Sequence, residues 1–314
     1  MAQTQLRGAA VIGGGARGAD IALTFAAGGW PTHVIETSAS ARAALPRYFA
    51  QMLWEMGYSE NEDSLSVHAD LESAPWTEIE IVVECIPEEL ELKRRLFAQL
   101  EQLVDRKTIL ASGSSVLPIS RIAAGLSTRN RMFSLHFMTP AYLVPLVEVV
   151  RSEASDPALA DQLGELVRSL GKVPVQVKKD VPGFIANRLQ HALAREAYAL
   201  IDAGIGTVED IDAAVRFGFG FRSLAAGPCL QRDHLGLDVD YAAAKTIYPE
   251  LANEIEPAGI LRERVQAGHL GMKTGKGFYG WDEISIQQEK ARYHGLLAAG
   301  LELLKDELPE RTPE

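Results

Sequence analysis

The chain has 314 residues, with 31 basic and 42 acidic side chains and a formal charge of −11. That length suits two domains, and 47% hydrophobic with 23% charged residues excludes a disordered or collagen-like chain. The acidic balance argues against nucleic acid or an anionic membrane surface as a partner, because both need a basic footprint. Cys85 and Cys229 cannot make a disulfide framework, and no CxxC or Cys/His cluster points to zinc, so no metal is expected. The stretch 8–30 is rich in small and apolar residues but is broken by Arg17, Asp20 and several glycines. Neither a signal peptide nor a membrane span is therefore expected, and a reducing cytoplasm is the expected compartment.

Taken in chain order, short β-branched runs alternate with longer helical patterns. Strands are expected at 9–12, 32–36, 64–68, 80–86, 108–112, 132–137, 146–150 and 173–178, with helices at 17–27, 90–103 and 157–170. The early runs are continuously apolar and bounded by Gly, Pro or Ser, as strands buried on both faces should be. Such alternation implies a parallel sheet with helices on both sides. Beyond Asp180 the strand signals fade. Pro182 and Gly183 open a helical pattern over 184–203, Thr207 begins a capped helix, and further helices are expected at 239–246, 258–267 and 287–307. The expected organisation is an α/β domain over 1–181 followed by an all-helical domain over 182–314.

The first turn carries the earliest chemistry. Gly13, Gly15 and Gly18 form a GxGxxG between an expected strand and an expected helix, and Glu36 ends the second strand about 20 residues on. Gly13 permits the tight turn, Gly15 lets a pyrophosphate approach backbone N–H groups, and Gly18 lets helix and strand pack closely. The helix N-terminus offers its partial positive charge to the phosphates. Glu36 would accept hydrogen bonds from the adenosine ribose hydroxyls and repel the extra phosphate of NADP. The pattern points to a Rossmann domain, a doubly wound sheet that binds NAD.

A second constellation lies downstream. His136 ends a strand, and Glu148 interrupts the apolar run 144–150, where a carboxylate is costly unless it has a partner. A histidine paired with that carboxylate is a natural base for an alcohol proton. Spacing alone leaves open a plain loop histidine and an edge-strand glutamate.

Seven blocks stand in the order seen in the L-3-hydroxyacyl-CoA dehydrogenase family, and the chain resembles that family over nearly its whole length. They are Gly13–Gly18, Glu84-Cys-Ile-Pro-Glu88, Ser112-Gly-Ser-Ser115, Leu135-His-Phe137, Leu146-Val-Glu-Val149, Asp180-Val-Pro-Gly-Phe-Ile-Ala-Asn-Arg188 and Gly271-Met-Lys-Thr-Gly-Lys-Gly-Phe-Tyr279. The resemblance implies a Rossmann domain followed by a helical domain that makes a homodimer. It implies His136 as the base, Glu148 as the residue that orients it, and Ser115 and Asn187 as hydrogen-bond partners of the reacting oxygen. It also places Glu88 and Lys93 on the cofactor side. Two positions depart from the pattern: Thr139 stands for the usual Asn after the histidine, and Gly113 for the Asn of an Asn-Thr-Ser.

The substrate is the third departure. A CoA thioester needs cations for its phosphates, yet residues 37–92 contain twelve acids against Arg42 and Arg47, and no Lys. Such a surface should repel CoA. Arg216-Phe-Gly-Phe-Gly-Phe-Arg222 resembles the branch that includes carnitine dehydrogenase and λ-crystallin (a gulonate dehydrogenase), which oxidises free 3-hydroxy acids. Arg222 could clamp a substrate carboxylate, or serve an interdomain salt bridge. The expectation is NAD-dependent oxidation of a 3-hydroxy group, leaning to a small free acid. A 3-hydroxyacyl-CoA dehydrogenase proper is the alternative, and a non-catalytic NAD-binding sensor or structural protein is the alternative of another class.

Overall fold

A computed structural model describes residues 8–312. Eight strands form one sheet in the order β3-β2-β1-β4-β5-β6-β7-β8. They are β1 (Gly8–Ile12), β2 (Thr32–Ile35), β3 (Leu65–His68), β4 (Ile79–Glu84), β5 (Ile109–Ser112), β6 (Met132–Phe137), β7 (Leu146–Arg151) and β8 (Val173–Val177). The reversal of strand order on either side of β1 is the doubly wound topology, and it opens a crevice at the C-terminal ends of β1 and β4.

Along the central strands successive side chains enter two different buried layers, as the two-residue period requires. On β1, Ala9 and Val11 face one layer, with Phe25 of α1 (Ala16–Ala27), Phe49 of α2 (Ala39–Met56) and Leu163 of α5 (Pro157–Ser169). Ala10 and Ile12 face the other, with Phe97 and Leu100 of α3 (Leu90–Leu103) and Ile119 of the short α4 (Ile119–Ile122). Each fully buried Phe or Leu contributes about 1.5–3 kcal/mol.

One expectation about the sheet is corrected. The sheet is not wholly parallel, because β7 runs antiparallel to β6, with His136 opposite Glu148, and β8 then runs parallel to β7. The connection between β6 and β7 is too short for a helical crossover, so the chain must turn back. Helix α2 is a gain over the sequence reading. Ser38 caps it by accepting from the Ala41 amide, Gly57 ends it in the left-handed region at φ 80°, and Pro46 lies inside it.

The chain divides into two compact units at Asn187/Arg188, and the tail from Lys305 belongs with the first. There the Arg311 guanidinium stacks 4.3 Å over the Tyr58 ring, and the Thr312 amide donates to the Ser169 carbonyl at 3.3 Å. Helix α6 (Ala186–Asp202) runs into the second unit, which continues through α7 (Val208–Ala214), α8 (Gly220–Arg222), α9 (Pro228–Leu235), α10 (Leu237–Ile247), α11 (Gly259–Gln266) and α12 (Glu283–Leu303). Thr207 and Asp210 form a reciprocal capping box at the start of α7, as do Asp282 and Ser285 at α12. None of α6–α12 buries a side chain, and Ile255, Leu303 and Phe217 are 98%, 77% and 73% exposed. No described helix is long and apolar enough to cross a membrane.

Candidate active site

The strand ends set out the site from left to right. Asp70 and Glu36 lie just beyond the carboxyl ends of β3 and β2, Gly13 follows β1, Cys85 follows β4, Gly113 follows β5, and β6 carries His136. A cleft of about 1080 Å³ lies along the first part of this row, lined by Gly13, Gly15, Arg17, Glu36, Asp70 and Glu88 among others.

The residues of that cleft fit a dinucleotide. Gly13 has φ 102°, a left-handed backbone, and a Cβ there would lie 2.9 Å from the Cys85 carbonyl oxygen. A Cβ on Gly18 would run into the Gly13 carbonyl, whereas one on Gly15 would meet no protein atom within 4 Å, so the loop is open there. The Glu36 carboxylate accepts the Gly14 amide at 2.8 Å and the Ser38 amide at 2.7 Å, one on each oxygen. Each oxygen retains a second lone pair for a ribose hydroxyl. Arg42 ties its guanidinium to the Glu36 and Thr37 carbonyls at 2.8 and 3.2 Å. Asp70 and Glu72 put part of the acidic stretch inside the cleft itself.

Glu88 lines the cleft, but Lys93 does not. The Lys93 ammonium is buried, 2.5 Å from Glu84 and 3.3 Å from Glu88. Its place is therefore behind the cleft, against the expectation of a direct cofactor contact. Burial pushes the Glu84 carboxyl up, opposed by Lys93 and by hydroxyl and amide donors. Burial acts the same way on Glu88, but there the Ser114 hydroxyl, Lys93 and the Leu117 and Val116 amides outweigh it and hold the carboxyl below its usual range. Through Ser114, this network fixes the loop that follows β5.

His136 and Glu148 meet across the antiparallel pair. The His136 Nδ1 lies 2.7 Å from Glu148 Oε2, with both side chains buried. The other Glu148 oxygen accepts the Ile185 and Ala186 amides at 2.8 and 2.9 Å, which are orphan donors of the first turn of α6. The turn that aims them is unusual. Gly183 has φ 79° and Phe184 has φ 50°, and Phe184 is held there by burial against Val150 and Val177. Its ring also packs 5.5 Å from that of His136. Burial works against the charge of Glu148, but the hydrogen bonds from His136, Ala186 and Ile185 prevail and hold its carboxyl below the usual range. An imidazole fixed at Nδ1 by an ionised carboxylate can act as a base at Nε2.

The remaining candidates fall on both sides of the unit boundary. Ser115 follows β5, and the Asn187 side-chain amide reaches the Ser115 carbonyl at 3.4 Å. Thr139 is exposed just beyond β6. Arg222 stands in the second unit, at the end of α8. Cys85 and Cys229 are free thiols, and no group of three or more metal-ligating side chains occurs among the described residues. Lys172 was missed by the sequence reading. Its buried ammonium donates to the Ala141 and Val144 carbonyls at 2.7 and 3.1 Å, pinning the loop between His136 and Glu148. Burial, helped by the Arg311 charge, pushes its amine down to about 7.

Residues 8–181 match the family model for the 3-hydroxyacyl-CoA dehydrogenase NAD binding domain, and residues 183–281 that for the C-terminal domain. The chain belongs to the 3-hydroxyacyl-CoA dehydrogenase family. It is an NAD-dependent oxidoreductase. Among relatives, the chain is 35% identical to a lambda-crystallin homolog of Bos taurus over 241 residues, 74% of each chain. It is 31% identical over 283 residues to a probable 3-hydroxybutyryl-CoA dehydrogenase of Bacillus subtilis, covering 87% of this chain and 96% of that one. The solved structure of 5-formyl-3-hydroxy-2-methylpyridine 4-carboxylic acid 5-dehydrogenase, an NAD+ dependent dismutase, aligns with a TM-score of 0.89 at 29% identity. That alignment covers 96% of this chain and 99% of that one. The family's relatives thus include proteins named for CoA esters and proteins named for free acids.

Proposed function

We propose that this dehydrogenase oxidises the hydroxyl of a small, free 3-hydroxy acid to the 3-oxo acid. The observation that carries the chemistry is the buried 2.7 Å contact between His136 Nδ1 and Glu148, itself fixed by two backbone amides. On this reading His136 takes the hydroxyl proton at Nε2, and the Glu148 charge stabilises the imidazolium that results. Bound NAD supplies the acceptor for the hydride. Ser115 and Asn187 hold the substrate oxygen from the side opposite the base, and Thr139 contacts the rest of the substrate. Glu36 and the Gly13–Gly18 loop hold the dinucleotide, with Glu88 at its far end.

The domain expected over 1–181 then binds NAD, and the helical domain expected over 182–314 serves substrate and assembly, except for its tail from Lys305, which belongs with the first unit. The acids that line the cleft and cover 37–92 favour a small substrate without phosphates. Arg222 is the proposed partner of its carboxylate. The protein works as a homodimer, a reading supported by helices α6–α12, which leave large apolar side chains uncovered. The free thiols of Cys85 and Cys229 suit the cytoplasm.

The test is NAD reduction by purified protein with matched free and CoA-linked 3-hydroxy acids, carnitine and gulonate included. Turnover with free acids only is expected. Turnover with thioesters only would move the function to the second reading, a 3-hydroxyacyl-CoA dehydrogenase proper, which the similarity to the Bacillus subtilis protein favours.

A further inference from the structure

One cation in the cleft has no part in the reading above. Arg17 sits in the first turn of α1, inside the glycine loop, yet its side chain does not stay over that loop. It crosses from β1 towards β5, and its Nη1 donates to the Gly113 carbonyl at 3.2 Å. A guanidinium has five N–H donors, so this bond leaves most of its donor capacity unused. Position 113 is itself closely packed against β4. A Cβ there would already lie 3.0 Å from the Glu84 carbonyl oxygen and 3.3 Å from the Cys85 sulfur.

The row of strand ends gives this position a meaning. With the adenosine at Glu36 and the pyrophosphate over the glycine loop at β1, the nicotinamide must extend over the ends of β4 and β5 to reach a substrate held by His136 on β6. Arg17 therefore stands at the ring end of the cleft. The Cys85 thiol beside it is pushed up to about 12 by burial and by Glu84, so it stays neutral. Glu84 and Glu88 are engaged by Lys93. The ring is cationic in NAD⁺ and neutral in NADH, so a fixed positive charge here acts on one redox form and not on the other.

We infer that Arg17 biases the enzyme towards the reduced coenzyme, by placing a guanidinium where it repels the oxidised nicotinamide and leaves the reduced one undisturbed. The inference rests on the cofactor orientation proposed above. It does not depend on His136 as the base or on the identity of the substrate.

The experiment measures dissociation constants of the full chain for NAD⁺, NADH and ADP-ribose with no substrate present. The wild-type protein is compared with Arg17→Met, Arg17→Gln and Arg17→Lys. In both neutral variants the ratio Kd(NAD⁺)/Kd(NADH) is expected to fall about tenfold, the scale of one unit charge acting at several ångströms in a partly hydrated cleft. Arg17→Lys should keep most of the wild-type ratio. ADP-ribose, which has the pyrophosphate but no ring, should change in parallel with NADH, so that any lost attraction for the phosphates cancels in the ratio. Arg17 is exposed, and retained ADP-ribose binding reports an intact cleft. An unchanged ratio in the neutral variants would overturn the inference. So would a loss of affinity shared equally by NAD⁺, NADH and ADP-ribose, which would give the guanidinium to the pyrophosphate instead. Failure of His136→Gln to lose turnover would sink the catalytic reading but leave this comparison intact.

Discussion

The two units of this chain solve the problem of stability in opposite ways. The first covers both faces of its sheet with helices, so that whole strands such as β1 and β6 are buried, and its buried carboxylates Glu84 and Glu148 are paired with Lys93 and His136. The second builds its helices from capping boxes and local hydrogen bonds, and buries no side chain on any of them. A unit that closes its own core can position a histidine and a carboxylate to within a hydrogen bond. A unit that leaves Phe217, Phe221 and Leu303 open offers the apolar surface on which the proposed homodimer rests. The geometry of the proposed base belongs to the first unit, and the proposed association to the second.

The sharpest way to break this contrast is His136→Gln. It should lower turnover by roughly 10²–10⁴-fold while NAD binding, measured by titration, persists. Near-normal turnover would remove His136 from its role. Glu148→Gln comes next. The amide cannot offer a full negative charge to the imidazolium, and its NH₂ cannot serve as an acceptor for His136 or for the Ile185 and Ala186 amides. A loss of about 10²-fold in kcat is expected, with thermal stability reduced as well. The sign of the pH effect follows from the depressed carboxyl. Its contribution to stability is present above the unfolded carboxylate pKa and disappears as pH falls through the lower folded value, so the wild-type protein should lose its advantage over Glu148→Gln in acid melts.

The second unit is tested by mass. Light scattering should give twice the 34.1 kDa of the chain, and a monomer at micromolar concentration would end the proposed division of labour. Lys172 probes how far the first unit tolerates a buried charge. Its folded amine titrates near 7 against an ordinary 10.5, so the unfolded chain holds more protons between those values. Stability on this account rises with pH across that window and is fully relieved above it. Melting temperatures of wild-type and Lys172→Met protein should therefore diverge with a slope between pH 7 and 10. Parallel curves would contradict the assignment. The smallest effect expected is from Thr207→Ala, which removes one half of the α7 capping box and should cost roughly 0.5–2 kcal/mol by thermal melts.

Much of the first unit was legible because its strands are apolar runs with clear punctuation. The expected strand at 132–137 and helix at 90–103 coincide with β6 and α3. Helix α2 escaped because Pro46 interrupts its pattern, although the proline sits where the chain accommodates it. The reversal at β7 has no signature within the strand, since an apolar strand reads the same in either direction; its only sequence signal is the short connection 138–145. At the site, the GxGxxG and Glu36 could be read from type and spacing. The partners that hold Glu148 could not, because they are backbone amides and carry no side-chain signature. Lys93 was misplaced for a related reason. Its spacing from Glu88 is visible, but only the fold reveals Glu84 underneath it.

The returning tail has a consequence of its own. Because residues from Lys305 onward are fastened to the first unit, the stretch from Arg188 to Leu304 is a loop anchored at both ends. Its unfolded ensemble is narrower than that of a free chain terminus, so closure has already been partly met before its helices form. A single proteolytic nick within it would leave two fragments still held by the same body. A gel under native conditions would not register the cut, whereas a denaturing gel would.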